Sequence, residues 1–203
     1  MMKYKGLLTI AAMLLVSIML ATPAQAGKIY AGASVGESTI DFGVADIDDG
    51  SLSNASVDDS DTAFKVFAGY RFLKFFAVEA DMVDLGEFAI SATSDGSGLI
   101  YASGPVAAIA ETDGYRIAGV GILPVGGGFS VFAKAGIFFW DAETMLTDAG
   151  GTLIDNSSDN DEFFGAGLNF DLKGPISIRL EYEMLSLDDI DIDLVSIGAA
   201  FRF

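Results

Sequence analysis

Residues 64–82 read Phe64-Lys65-Val66-Phe67-Ala68-Gly69-Tyr70-Arg71-Phe72-Leu73-Lys74-Phe75-Phe76-Ala77-Val78-Glu79-Ala80-Asp81-Met82. In an extended strand, successive side chains point to opposite faces. One face of this stretch carries Phe64, Val66, Ala68 and Tyr70, then, past a short turn at Leu73-Lys74, Phe76, Val78, Ala80 and Met82. The other carries Lys65, Phe67, Gly69, Arg71, Ala77, Glu79 and Asp81. Two such runs joined by a tight turn make an antiparallel hairpin with an oily side and an ionic side.

The same alternation recurs along the chain. Ile29, Ala31, Ala33 and Val35 alternate with Tyr30, Gly32, Ser34 and Gly36; Val131, Ala133, Ala135, Ile137 and Phe139 with Phe132, Lys134 and Gly136. Phe164, Ala166, Leu168 and Phe170 alternate with Gly165, Gly167, Asn169 and Asp171; Ile176, Ile178, Leu180, Tyr182 and Met184 with Ser177, Arg179, Glu181 and Glu183. The last run sets Val195, Ile197, Ala199, Phe201 and Phe203 against Ser196, Gly198, Ala200 and Arg202. Tyr115 to Leu123 completes the set; its Arg116 and several glycines leave its facing open. Short connections near Leu73-Lys74, Gly126 to Gly128 and Lys173 to Pro175 alternate with long acidic ones, roughly Glu37 to Asp61, Gly86 to Thr112 and Ala142 to Asp161, and a brief one near Ser186 to Asp191. This rhythm predicts an all-β fold, an eight-stranded antiparallel up-and-down transmembrane β-barrel.

Energy decides which face meets lipid. Lys65, Glu79, Lys134, Arg179 and Glu181 lie within strands. A Lys or Arg on the lipid face near the midplane costs roughly 2–4 kcal/mol. Three such cations, with two carboxylates besides, would consume most of a net stability of about 5–15 kcal/mol. The ionic face therefore turns inward, where Lys65, Arg71, Glu79, Asp81, Lys134, Asp171, Arg179, Glu181, Glu183 and Arg202 must pair, because an orphan buried ion costs several kcal/mol. Inward glycines such as Gly32, Gly69, Gly136, Gly165 and Gly167 leave room for long charged side chains. A barrel of eight strands is about wide enough for its own side chains, which favours a packed plug over an ion path.

Composition narrows the chemistry. The chain has 203 residues, 11 Lys+Arg, 29 Asp+Glu, no His and no Cys. No Ser-His-Asp triad, Cys nucleophile or His/Cys zinc site can form. A net charge of -18 argues against nucleic acid, whose phosphates need a basic face. Yet 51% of residues are hydrophobic, so the chain is no acidic disordered tail. No cofactor and no catalytic residue is indicated.

Residues 1–26 read as a signal peptide. Lys3 and Lys5 precede an apolar run from Leu7 to Leu20, and Ala24-Gln25-Ala26 gives the small-x-small cleavage pattern. The run is shorter than the roughly 20 residues that span a bilayer. Cleavage removes two of the 11 basic residues and no acid, leaving 9 against 29 acidic ones over the barrel domain, residues 27–203.

The run Val66 to Phe72, then Phe76 to Ala80, Phe132-Ala133-Lys134 and Arg179-Leu180-Glu181-Tyr182 resemble the small outer-membrane β-barrel family, the OmpA-like transmembrane barrels, over essentially the whole mature chain. The resemblance implies residence in the bacterial outer membrane as a multi-pass barrel, periplasmic termini, and a polar lumen whose Glu and Arg positions fall on Glu79, Arg179 and Glu181. It also implies that Phe203, with Phe201, Ala199, Ile197 and Val195 on one face, is read by the barrel-assembly machinery. Larger relatives add a periplasmic peptidoglycan-binding domain; this chain stops at the barrel, so that role is not carried over.

A specific activity would have to sit in the acidic connections. Glu37, Asp41, Asp46, Asp48, Asp49, Asp58, Asp59 and Asp61 occur without Lys or Arg among them; Glu143, Asp148, Asp155, Asp159, Asp161 and Glu162 follow, then Asp189, Asp191 and Asp193 at alternate positions. Clustered carboxylates suit hard divalent cations such as Ca²⁺ or Mg²⁺, which would bridge to lipopolysaccharide. Neither Asp46 to Gly50 nor Asp155 to Asp161 fits the EF-hand loop, however, and a solvated anionic surface is the plainer account. Gly126-Gly127-Gly128 lacks a following Lys and reads as a turn. Trp140, Tyr30, Tyr70, Tyr115, Phe138, Phe139 and Phe163 read as interface anchors and packing. The leading expectation is a monomeric, non-enzymatic barrel in contact with outer-membrane lipid and lipopolysaccharide, with a structural or surface-interaction role in the envelope. A small or narrow porin-like channel is the alternative.

Overall fold

A computed structural model describes residues 29–187 and 190–203. The expected signal peptide with its cleavage residues Ala24 and Ala26, and Asp189, lie outside the described residues. The strands are β1 (Ile29–Ile40), β2 (Leu52–Asp58), β3 (Ser60–Leu73), β4 (Phe76–Ser94), β5 (Gly104–Gly126), β6 (Phe129–Asp148), β7 (Gly151–Asp171), β8 (Ile176–Leu187) and β9 (Ile190–Arg202). All pairings are antiparallel, and hydrogen bonds run β4-β3-β1-β9-β8-β7-β6-β5 and back to β4. The ring has eight members. β2 and β3 lie along the same edge of β4, one above the other, so together they form one ring member interrupted at Asp59.

Outward residues form an apolar belt on every member of the ring. On β5 it runs from Leu123 through Ile117 to Tyr115; on β6 from Phe129 through Val131 and Ile137 to Phe139. The Tyr115 and Phe139 rings stack at 4.9 Å on adjacent strands. With strands tilted about 40° and rising about 3.3 Å per residue, a nine-residue stretch matches the roughly 25 Å apolar band of a barrel. The first outward position past the belt is Glu37, Asp84, Asp113, Asp141, Glu162 or Asp193 on six ring members, and Thr62 or Ser186 on the other two. An acidic collar thus marks one end of the belt.

Two expectations are corrected. The segments Gly86 to Thr112 and Ala142 to Asp161 are mostly strand: β4 and β5 stay paired to Ser94↔Gly104, and β6 and β7 to Asp148↔Gly151. Both hairpins continue far past the collar as a crown. In 151–160 alternation is lost because both faces are exposed, while backbone pairing persists; β4 still alternates, with Phe88, Ile90 and Ala92 buried. The facing of Tyr115 to Leu123 is also resolved: Tyr115, Ile117 and Leu123 point out, and Arg116, Ala118, Val120 and Ile122 point in.

Candidate functional site

Sheet register assembles the lumen charges. Gly69 on β3 lies opposite Glu79 on β4, Asp81 opposite Arg116 on β5, Lys134 on β6 opposite Gly165 on β7, and Gly165 opposite Glu183 on β8. All these side chains share the inner face, so residues over 100 apart in sequence meet across the barrel. Lys65 binds Glu181 at 2.6 Å and also Glu183. Lys134 binds Glu183 at 2.6 Å and Glu181 at 2.8 Å. Arg116 reaches Asp81 at 2.6 Å and Glu183 at 2.9 Å, and Arg179 reaches Glu79 at 2.7 Å. The Tyr30 hydroxyl donates to the same Glu79 oxygen at 2.9 Å. Four cations face four carboxylates, so the buried cluster is neutral. Glu183 is 0% exposed and Arg116 1%.

Apolar layers flank the cluster on both sides, although a cavity at the short-turn mouth reaches Arg179 between Phe67, Val120 and Ile122. Toward the crown lie Val83, Leu85, Phe88, Phe138, Trp140, Phe163, Leu185, Ile192 and Leu194, all buried. Toward the short turns lie Ala77, Val120, Ile122 and Phe132. Aromatic faces reach into the ionic layer itself. The Arg179 guanidinium sits 4.8 Å from the Phe67 ring and 4.2 Å from that of Phe132, and the Arg116 guanidinium 4.6 Å from that of Phe163. Such contacts stabilise a desolvated guanidinium by about 2 kcal/mol.

This arrangement corrects several sequence-based assignments. Arg116 belongs to the cluster, although its strand gave no clear facing. Arg71, Asp171 and Arg202 are inward but lie at the mouth beside the short turns. There Arg202 binds Asp171 at 2.7 Å, and both remain partly exposed. The inner glycines make room chiefly for aromatic rings. A Cβ on Gly32 would sit 2.5 Å from the Phe67 ring, on Gly69 2.2 Å from Tyr30, and on Gly167 2.5 Å from Phe132; only Gly165 faces charged chains, Glu183 and Lys134 at 3.1 Å. Tyr30, Phe138, Phe163 and Trp140 point inward and are not membrane anchors, whereas Tyr70 and Tyr115 face outward. The run Val195, Ile197, Ala199 and Phe201 faces outward on β9. The Phe203 ring packs edge-on against Phe201 at 5.1 Å, and its N–H donates to the Ile29 carbonyl.

Ion chemistry is segregated along the barrel axis. Lys74 and Lys173 sit in the short turns, joining Arg71 and Arg202 at that end. The crown carries no Lys or Arg among the described residues. Several of its carboxylates are occupied by backbone. Asp49 accepts from the Ile100 N–H at 2.9 Å and the Ser51 hydroxyl at 2.6 Å, and Asp148 accepts from the N–H groups of Ala102, Gly150 and Gly151. These bonds hold both carboxyls below the usual range. They tie the first connection to the β4–β5 connection, and that in turn to the β6–β7 turn. Among the described residues no three carboxylates are grouped to hold a metal ion. The collar row Asp84, Asp113 and Asp141 is directly cross-strand. Burial and then its acidic neighbours push Asp113 up to about 6.

Comparison with known proteins fits this geometry. The family model of the OmpA-like transmembrane domain matches residues 24–203. No curated protein matches the sequence. Among solved structures, Ail, the attachment invasion locus protein of Yersinia pestis, solved with the heparin analogue sucrose octasulfate, aligns with TM-score 0.51 at 15% identity, over 87% of this chain and 99% of that one. Neisserial surface protein A aligns with TM-score 0.54 at 10% identity, over 89% and 100%. The N-terminal β-barrel domain of Pseudomonas aeruginosa OprF aligns with TM-score 0.53 at 9% identity, over 88% and 100%. These likenesses establish the barrel fold. The outer membrane protease OmpT of Escherichia coli also aligns, at TM-score 0.44, too low to carry an argument about activity.

Proposed function

The chain belongs to the OmpA-like transmembrane domain family, and from that premise we propose a closed, non-enzymatic barrel that spans the outer membrane and presents its acidic crown as a contact surface. The family places it in the bacterial outer membrane in contact with lipid and lipopolysaccharide. One observation carries the closed reading: a neutral layer of ion pairs lies between buried apolar layers. An ion entering from the crown would have to pass the buried side chains of Phe138, Trp140 and Phe163. Planar-bilayer recording tests this. The closed barrel gives no reproducible unitary steps, whereas the narrow-channel alternative gives them.

Export and assembly complete the proposal. Cleavage after Ala26 releases a chain starting at Gly27, which mass spectrometry of the purified protein reads directly. Val195, Ile197, Ala199, Phe201 and Phe203 offer the assembly machinery an aromatic-ended strand, and Phe203→Ala lowers the inserted yield in cells. The lumen residues Lys65, Glu79, Asp81, Lys134, Arg179 and Glu181 act as a structural plug. Arg71 and Arg202 act as a basic rim at the periplasmic mouth.

The collar supports a lipid contact. Adjacent Asp84, Asp113 and Asp141 oppose like charges directly, which is unfavourable. Divalent cations shared with lipopolysaccharide phosphates relieve that repulsion. Calorimetry of the barrel in lipopolysaccharide-containing vesicles tests it; no Mg²⁺ or Ca²⁺ heat beyond that of vesicles alone ends it. The crown, lacking Lys and Arg, is unsuited to a polyanion such as the heparin analogue bound to Ail.

A further inference from the structure

β7 runs in unbroken register with β6 from Asp148↔Gly151 to Phe129↔Phe170, yet it pairs with β8 only from Phe163↔Leu185 to Asp171↔Ser177. Among the described residues, no strand covers the other side of 151–162. The parity of the open groups follows from two bonds. Asp171 N–H donates to Gly128 on the β6 side, and Leu172 N–H donates to Ile176 on the β8 side. In an antiparallel ladder the direction alternates residue by residue. The N–H and C=O groups of Thr152, Ile154, Asn156, Ser158 and Asn160 therefore point away from β6; the Asn160 N–H is taken by the Asp159 carboxylate at 2.8 Å, and the other four residues face open space.

Sheet edges are normally blunted by bulges, Pro, Lys or short length. The crown's other edge, β2, is blunted: it has a register shift between Ser53 and Ser56 and Asn54 at φ 51°. The β7 edge has no bulge, no Pro and no Lys. On the inner face of the crown it presents Asp155 and Asp159, four residues apart, while Asp161 accepts from the Trp140 indole N–H. A second copy of this chain would bring the same carboxylates against one another, which opposes self-pairing.

We propose that this edge is a docking strand for an extended basic segment of another protein. The segment adds to the sheet through the open backbone groups, with Lys or Arg at alternate positions, among them those facing Asp155 and Asp159. The inference rests on the reading of the crown as an external contact surface and names the partner class for it.

The test uses the full barrel in lipid nanodiscs, amide exchange by NMR, and two peptides as long as the edge. One alternates Lys and Thr; the other has the same composition in two blocks. The alternating peptide slows exchange at Ile154, Asn156 and Ser158 by about tenfold or more and binds about tenfold tighter than the block peptide. Ser158→Pro, which removes only an outward donor, abolishes that protection; Asp155→Asn with Asp159→Asn, which leaves the backbone intact, weakens binding. Equal binding of both peptides without edge protection overturns the proposal. Free exchange at Leu180 and Ile197 before any peptide is added removes the barrel itself, and the edge with it.

Discussion

Glu183→Gln is the sharpest probe of the lumen. The carboxylate meets Lys65, Lys134 at 2.6 Å and Arg116 at 2.9 Å, with no solvent exposure. Gln keeps the shape and removes the charge, leaving four cations against Glu79, Asp81 and Glu181. Breaking a buried ion pair costs about 3–5 kcal/mol because the abandoned charge stays desolvated. With a urea slope of about 2 kcal/mol/M, the unfolding midpoint falls by about 2 M. Trp140, the single tryptophan, lies buried in the apolar layer next to the cluster, and its indole N–H donates to Asp161. Its fluorescence therefore reports unfolding in lipid vesicles. Adding Lys65→Met restores three cations against three anions, and Lys134 still serves Glu181 at 2.8 Å. The double variant should recover about 1–3 kcal/mol relative to additivity. A loss below about 1 kcal/mol for Glu183→Gln, or a double variant no better than the sum, refutes the claim that charge balance holds the lumen together.

Three further outcomes follow from the same geometry. Gly167→Ala places a Cβ 2.2 Å from the Leu180 carbonyl and costs about 1–3 kcal/mol in unfolding assays, whereas Gly119→Ala, with nothing within 4 Å, leaves stability nearly unchanged or raised. The Asp113 carboxyl, raised to about 6 from an ordinary 3.8, binds its proton more tightly folded than unfolded. Its contribution therefore favours folding at low pH, is lost as pH rises from about 4 to about 6, and stays lost above. Asp113→Asn should stabilise the barrel above pH 6 by about 1 kcal/mol after allowing for solvent screening, and flatten that part of the pH profile. Spin labels at positions 78 and 79 separate the faces: Val78 is 46% exposed on the lipid side and Glu79 1%. Oxygen collisions should be more frequent at 78, and equal frequencies would undo the inside-out partition.

Alternation of oil and charge was enough to place the barrel. Along β3, β4, β6, β8 and β9, lipid on one side and packed ions on the other leave each position only one tolerable class of side chain, and that constraint is local. Arg116 escaped because Gly119 and Gly121 occupy outward positions of β5 and erase the pattern. Its one local signal was a lone cation between Tyr115 and Ile117. The crown part of β7 escaped for the opposite reason: with both faces exposed, Asp, Ser and Asn are tolerated everywhere, so 151–162 looks like a loop while its backbone pairs as a strand. Which cation meets which carboxylate was beyond the sequence altogether. Lys65 and Glu183 lie on strands that are not neighbours, and only barrel closure and the stagger between strands bring them to one height. The same closure turns Phe67 and Phe132, oily residues on ionic faces, and Phe163, read as an anchor or packing residue, into platforms for buried guanidinium groups.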